Sequence, residues 1–392
     1  MSTRYDIIIV GGSMAGLACA YALRAAGTRV CVLEGETPGH AKSSSFGTSR
    51  MFREMYSDPH LCGMSRRANA MWRAMEDEHD VVLRDVHGLL FYGESWDEET
   101  IEGSIPGARA VMTEQGIPFE SLDAAAIAER FPMAPRGDFV GLFEPTAGAI
   151  RADRALATFR SGAERGGIEI RTGARVTAIE LDAGHARVRT REHVFDAEQV
   201  VVAAGGATNE LLAPLGLDLP LTLWAMLWGY YAVEPSLARA YPQWFCFQRE
   251  RPQALDGGLY YGFPVESLDD PMIKVGIDWA PTSMRTQRLA ALPREPVQHL
   301  AELLDAFVAT GLRGVGPVRE RQCSPYTMTA DANFIVDRLH PRLCTFTGGS
   351  GQAFKFAPLL GSLLADLALD RRIDLDLAPW SASRPALRAA AA

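Results

Sequence analysis

The stretch that most limits what this chain can fold into is its first, Tyr5 to Glu36. Asp6-Ile7-Ile8-Ile9-Val10 is short, β-branched and bounded by glycine, the composition of a strand buried on both faces. Gly11-Gly12-Ser13-Met14-Ala15-Gly16 follows without a spacer, a helical pattern runs from Leu17 to Ala26, and Gly27 ends it. A second apolar run, Arg29-Val30-Cys31-Val32-Leu33, closes on the acid Glu34. This order predicts a βαβ unit of the dinucleotide-binding kind. The tight turn and helix N-terminus present N–H groups to a pyrophosphate, and the acid accepts hydrogen bonds from a ribose. Ser13 stands where the middle glycine of the fingerprint belongs, but it is small and its hydroxyl can donate to a phosphate. The acid at 34 favours FAD or NAD over NADP. Gly11, Ser13, Met14, Gly16 and Glu34 are therefore candidate cofactor contacts, with an ordinary βαβ unit as the alternative.

Bulk properties narrow the remaining choices. A chain of 392 residues exceeds one small core and predicts two intertwined domains. A net charge of −9 argues against nucleic acid and anionic membranes as partners. No apolar stretch approaches the ~20 residues that span a bilayer, and the N-terminus lacks a signal-peptide pattern. Six scattered cysteines (Cys19, Cys31, Cys62, Cys246, Cys323 and Cys344) read as reduced thiols of a cytoplasmic protein, and no metal-ligand spacing appears. Of 39 basic residues only three are lysine: Lys42, Lys274 and Lys355. A chain that otherwise uses arginine keeps lysine either by chance or where a compact, rotatable ammonium is needed.

Further along, Lys42 to Ser49 is small and rich in donors, suited to lie along an anionic ligand, and it leads into Arg50-Met51-Phe52-Arg53. A helix is expected from Leu61 to Glu78 with Met64, Ala68, Met71, Trp72 and Met75 as core packing. Gly88 to Gly93 reads as a strand and Ser104 to Gln115 as a helix. The stretch from Phe143 to Arg154 is expected to open a long helix ending near Gly166-Gly167. Strands follow at 169–171, 175–181 and 186–190, and the buried run Gln199 to Gly206 ends in glycines, as at a second approach to a nucleotide. From 216 to 320 aromatic residues alternate in strand fashion, predicting antiparallel strands that wall a cavity. Trp224, Trp228 and Trp279 either line that cavity or pack as core. Arg285 to Gly311 reads as one or two helices. The loop Gly348-Gly349-Ser350-Gly351 precedes a helix from Lys355 to Leu369, and the alanine-rich end reads as a frayed tail.

With these pieces in order, the chain resembles the monomeric sarcosine oxidase and N-methyltryptophan oxidase family of FAD-dependent amine oxidases. The likeness runs from Tyr5 to about Leu387. Besides the N-terminal turn it rests on Gly47-Thr48-Ser49-Arg50-Met51-Phe52-Arg53, Ile150-Arg151-Ala152-Asp153-Arg154, Tyr261-Gly262-Phe263-Pro264, Ile273-Lys274-Val275-Gly276, Tyr326-Thr327-Met328-Thr329, Phe334-Ile335-Val336-Asp337 and Gly348 to Phe356. The resemblance implies an α/β FAD-binding Rossmann-like domain plus an α+β substrate domain with a mainly antiparallel sheet. Residues 1–85, 145–215 and 321–392 would form the first, and 86–144 and 216–320 the second.

It also implies roles. Arg53 and Lys355 would hold a substrate carboxylate, Lys274 would assist oxygen beside the flavin, and Tyr261 and Tyr326 would line the substrate cavity. Arg50 would lie near flavin or oxygen, or else serve as a structural ion pair. Ser44, Ser49, Arg50, Val176, Gly205, Gly348, Gly351, Phe354 and Lys355 join the cofactor contacts. Departures are equally specific. The family attaches its flavin to a cysteine two residues before the position of Tyr326, where this chain has Ser324. Cys323 lies one step earlier, which in an extended strand points to the opposite face. Non-covalent FAD is the expectation and a link through Cys323 the alternative. Asp278 replaces a histidine of sarcosine oxidase, and Gln352 lies in the altered loop beside the substrate, so sarcosine itself is doubtful. The expected function is oxidation of a small secondary or cyclic amino acid to an imine, with oxygen reduced to hydrogen peroxide by a monomer or homodimer. A dehydrogenase or biosynthetic tailoring enzyme that uses oxygen poorly, and a non-catalytic FAD-binding subunit, are the alternatives.

Overall fold

The computed structural model describes residues 3–95, 100, 102–182, 184–248 and 258–391. The apolar run at the N-terminus forms strand Thr3–Val10, with Ile7, Ile8, Ile9 and Val10 all buried. It lies inside an eight-stranded sheet, parallel to Val30–Leu33 on one side and to Val194–Val202 on the other. Val10 is opposite Leu33 and Val202, and Val200 is in turn opposite Leu343 of the parallel strand Leu343–Thr347. Helix Met14–Leu23 makes the crossover between the first two strands. Its small residues let helix Ala357–Ala368 approach closely: a Cβ at Gly361 would lie 2.4 Å from the Ala18 backbone.

The second, nine-stranded sheet takes strands from 89–144 and from 222–328. It is antiparallel apart from the parallel pairing of Gln243–Gln248 with Leu89–Gly93. Register decides which side chains share a face. Gln322, Trp228, Gly276, Tyr261, Phe245 and Phe91 form one cross-strand row, and Tyr230, Lys274 and Phe263 form the row beside it. Phe91, Phe245, Tyr261 and Phe263 of this face join the core made with the helices against the first sheet. The opposite face buries Leu227, Ile273, Val275 and Ile277 under helix Gln298–Gly311, where Tyr260 stacks on Phe307 with ring centroids 3.9 Å apart.

Two expectations need correction, and the one for 285–311 is narrowed. Phe143 to Arg154 does not open a helix: Val140–Glu144 and Gly148–Arg151 are strands, and the helix spans Ala152–Arg165. Backbone pairing overrides local propensity there, since Gly148–Arg151 sits between Ser49–Phe52 and Arg84–Val86. The region 285–311 holds one α-helix, Gln298–Gly311, preceded by short 3₁₀ turns at Thr282–Met284 and Leu289–Ala291. The alanine-rich end is helical over Pro385–Ala391 with Leu387 buried. Among the described residues no helix is long and apolar enough to cross a membrane, and no His, Cys, Asp and Glu cluster could hold a metal. All six cysteines are free thiols.

Candidate active site

The glycine turn has a shape that only glycine permits at its first position. Gly11 has φ +103°, and a Cβ there would lie 2.4 Å from the Ala203 carbonyl oxygen. The turn is thus pressed against Ala203, just past the end of strand Val194–Val202 and two residues before Gly205. Gly16 meets the Gly11 carbonyl so closely that an added Cβ would fall 1.8 Å from its oxygen. Glu34 is buried, and its carboxylate accepts from the amides of Gly12 at 2.7 Å and Glu36 at 2.8 Å. That fixes the acid beside the turn with acceptor capacity left for a ribose. Ser13 pairs its hydroxyl with that of Ser43 at 2.9 Å, and the Met14 amide faces Ser45 Oγ at 3.4 Å. The donor-rich segment therefore lies across the helix N-terminus, where the sequence places an anion. Val176 is half-buried and packs against the core containing Val10 and Leu33.

Arg50 holds this segment in shape. Its guanidinium donates to the carbonyls of Ser49 (2.7 Å), Ser44 (2.7 Å) and Phe46 (2.6 Å), and lies 5.4 Å from the Phe354 ring centre. Ser44 Oγ in turn donates to the Pro325 carbonyl at 2.6 Å, tying the segment to strand Val315–Met328. On the far side, the loop after strand Leu343–Thr347 has positive φ at Gly348 (+66°), Ser350 (+44°) and Gly351 (+74°). Tyr326 lies against it, since a Cβ at Gly351 would meet the tyrosine ring at 2.2 Å. Two buried hydroxyls near these pieces, Ser49 Oγ and Thr347 Oγ1, have no hydrogen-bond partner among the described residues. A glycine cradle, a fixed acid, a helix N-terminus and orphaned hydroxyls are what a bound dinucleotide would satisfy, so the residues present fit FAD.

The charged side chains predicted from sequence divide into two groups. In the first, Arg53 is fully buried, ion-paired through Nη2 to Glu102, and packed on Tyr56, Phe91 and Phe245 with ring centres 4.3, 5.1 and 5.2 Å away. Its Nε and Nη1 have no hydrogen-bond partner among the described residues. Lys355 Nζ donates to the Gln352 carbonyl at 3.1 Å, and burial, with Arg53 next in size, pushes its ammonium down to about 7 against the opposing pull of Glu102 and Asp278. Asp278 is buried, and its Oδ2 has no hydrogen-bond partner among the described residues; burial first, then Glu102, holds its carboxyl well above the usual range, partly offset by Arg53 and Lys355. Burial and Asp278 also push Tyr261 up, and burial and Tyr261 push Tyr326 up, so both phenols stay protonated.

In the second group, Lys274 Nζ lies 4.3 Å from the centre of Trp228 and 5.2 Å from Phe263. Burial, then Arg50, pushes its ammonium down to about 7, with Glu266 opposing. Glu102 was absent from the sequence expectations. It sits on the turn bridging Thr100 and Gly103 in a stretch without periodicity, 49 positions from its partner, and no local signal marks it. Ser324 points to the same face as Met226 and accepts from Trp228 Nε1 at 2.8 Å. Cys323 is directed to the other face, packed with the core under helix Gln298–Gly311.

With the geometry described, similarity to known proteins decides the family. A model of the FAD dependent oxidoreductase family matches residues 6–367. The chain belongs to that family. The oxidoreductase is 30% identical to monomeric sarcosine oxidase of Streptomyces avermitilis, covering 94% of each chain, and 28% identical to N-methyl-L-tryptophan oxidase of Salmonella arizonae, covering 97% of this chain and 99% of that one. Among solved structures it matches NikD, an unusual amino acid oxidase essential for nikkomycin biosynthesis, with a TM-score of 0.89, 28% identity and coverage of 97% and 98%. The two-sheet fold of this oxidoreductase is shared with L-proline dehydrogenase from P. horikoshii at 18% identity and a TM-score of 0.79.

Proposed function

We propose that this protein oxidises the C–N bond of a secondary or cyclic amino acid with a free carboxylate, using non-covalently bound FAD and passing the electrons to oxygen. The observation that carries the reading is the convergence of Arg53, Lys355 and Asp278, drawn from three distant stretches, on the sheet face that also presents Lys274 and Tyr261. The names of the relatives, oxidases of sarcosine, N-methyl-L-tryptophan and an amino acid, point the same way.

The chemistry FAD supplies when bound is acceptance of a hydride from the C–H beside the substrate nitrogen, giving an imine, with oxygen ending as hydrogen peroxide. Arg53 binds the substrate carboxylate through its unpartnered nitrogens, held by Glu102, and Lys355 adds a second charge. Asp278, protonated in the buried pocket, faces the substrate's nitrogen end as a hydrogen-bonding group and favours a donor there. Tyr261, packed on Gly276, and Tyr326, packed on Gly351, wall the substrate and exclude water. Lys274 sets a positive charge in a dry site, where it favours the anion that oxygen becomes on taking an electron. Residues 1–85, 145–215 and 321–392 serve the cofactor, and 86–144 with 216–320 the substrate. Ser324 in place of a cysteine and the direction of the half-buried Cys323 toward the core under the helix support a non-covalent cofactor; free thiols support a cytoplasmic setting.

A panel of N-methyl and cyclic amino acids, assayed for oxygen consumption and peroxide, tests the function. Turnover with one-to-one peroxide is expected. Imine formation with an artificial acceptor but not oxygen would make the protein a dehydrogenase, and no turnover with any acceptor would leave a flavin-binding subunit. Yellow colour remaining in an acid-precipitated pellet would overturn the non-covalent reading.

A further inference from the structure

Lys274 poses a physical problem that its surroundings answer. An ammonium with a long, rotatable stem loses conformational freedom when fixed and hydration when buried. A carboxylate partner would hold it, but would also cancel the charge presented to an incoming electron acceptor. A ring face attracts the cation without neutralising it. The ring here is Trp228, 4% exposed, with Tyr230 edge-on to it at 5.4 Å and 89°. Trp228 is opposite Gly276, which contributes no side chain to that row, and its Nε1 donates to Ser324 Oγ at 2.8 Å on the neighbouring strand.

We propose that Ser324 and Trp228 act as one positioning pair for Lys274: the hydroxyl fixes the indole, and the indole face fixes the ammonium. The inference deepens the proposed role of Lys274 in oxygen reduction and rests on that reading, but its test is separable. Among the described residues, the other charged or titratable groups facing Lys274 are Arg50 on strand Ser49–Phe52, Glu266 after strand Gly258–Phe263, and Tyr230 opposite it in register. These stay in place in the variants proposed.

With only three lysines in the chain, ¹³C labelling at lysine Cε gives three titrating signals, assignable by Lys274→Met and Lys355→Met. In the free protein burial holds the Lys274 ammonium at about 7, and the midpoint of the wild-type holoprotein is the reference for the variants. Ser324→Ala and Trp228→Phe, which respectively remove the acceptor and the N–H while keeping an apolar ring, lower that midpoint by about half a pH unit. Each slows flavin reoxidation by oxygen roughly threefold to tenfold, and the double variant goes no further than either single one. The Lys355 midpoint, reporting the carboxylate group, stays put in both. An unmoved Lys274 midpoint, additive effects, or a parallel shift of Lys355 overturns the positioning pair. Unchanged reoxidation in Lys274→Met overturns instead the role assigned to Lys274, whatever the titrations show.

Discussion

At the scale of single residues the site is a balance of buried charge. Lys355 lies among Arg53, Glu102 and Asp278, and its ammonium is held at about 7 in the free protein chiefly by burial. A bound carboxylate stabilises the protonated form, so binding takes up a proton above that pH. Affinity for an aromatic carboxylate, read from perturbation of the flavin spectrum, is expected to be constant below pH 7 and to fall by about tenfold per unit above it. Loss of a proton from Asp278 acts in the same direction. Lys355→Met binds weakly and loses the break near pH 7, and a wild-type affinity independent of pH up to 9 would contradict the assignment. Arg53, Lys274 and Lys355 were legible in the sequence because lysine is so scarce and because their flanking residues resemble a known family. Glu102 was not legible, since what gives it meaning is a contact across 49 positions of chain.

At the scale of elements, the glycine turn and the strand carrying Glu144 are the positions where a small change has a large effect. Gly16→Ala places a methyl on the Gly11 carbonyl, backbone against backbone, where nothing flexible can yield. A loss on the order of 3 kcal/mol and purification without flavin are expected; a yellow, wild-type-like variant would contradict the packing described. Glu144 ends strand Val140–Glu144 and accepts from the amides of Glu54 (3.0 and 3.1 Å) and Met55 (2.9 Å), shaping the loop that follows Arg53. Burial pushes its carboxyl from 4.5 up to about 7, against those amides. Between these values the folded protein keeps a proton that the unfolded chain has released, so this contribution to stability is present below pH 4.5 and is lost as pH rises to 7. The stability of wild type relative to Glu144→Gln should therefore decline from pH 5 to 7 in urea titrations, and a constant difference would refute it. The βαβ unit was readable from local pattern. The strand Gly148–Arg151 was not, because its partners at Ser49–Phe52 and Arg84–Val86 are remote in sequence and no local preference announces them.

At the scale of the whole molecule, two sheets of different construction meet across one face. The mixed eight-stranded sheet, through its parallel strands, supplies the glycine turn and the loop at 348–351, and the mostly antiparallel nine-stranded sheet supplies the aromatic wall and Lys274. Arg53 and Lys355, both outside the nine-stranded sheet, meet Asp278 just beyond the end of one of its strands. The central claim is that the cations over this face select an amine by its carboxylate and place its C–H for oxidation. Anaerobic titration of the yellow holoprotein with a cyclic or N-methyl amino acid, beside the matched amine lacking the carboxylate, tests it most directly. Stoichiometric bleaching of the flavin band by the acid, and none by the amine at the same concentration, is the predicted result. Equal bleaching by both, or by neither across the panel, would contradict the account.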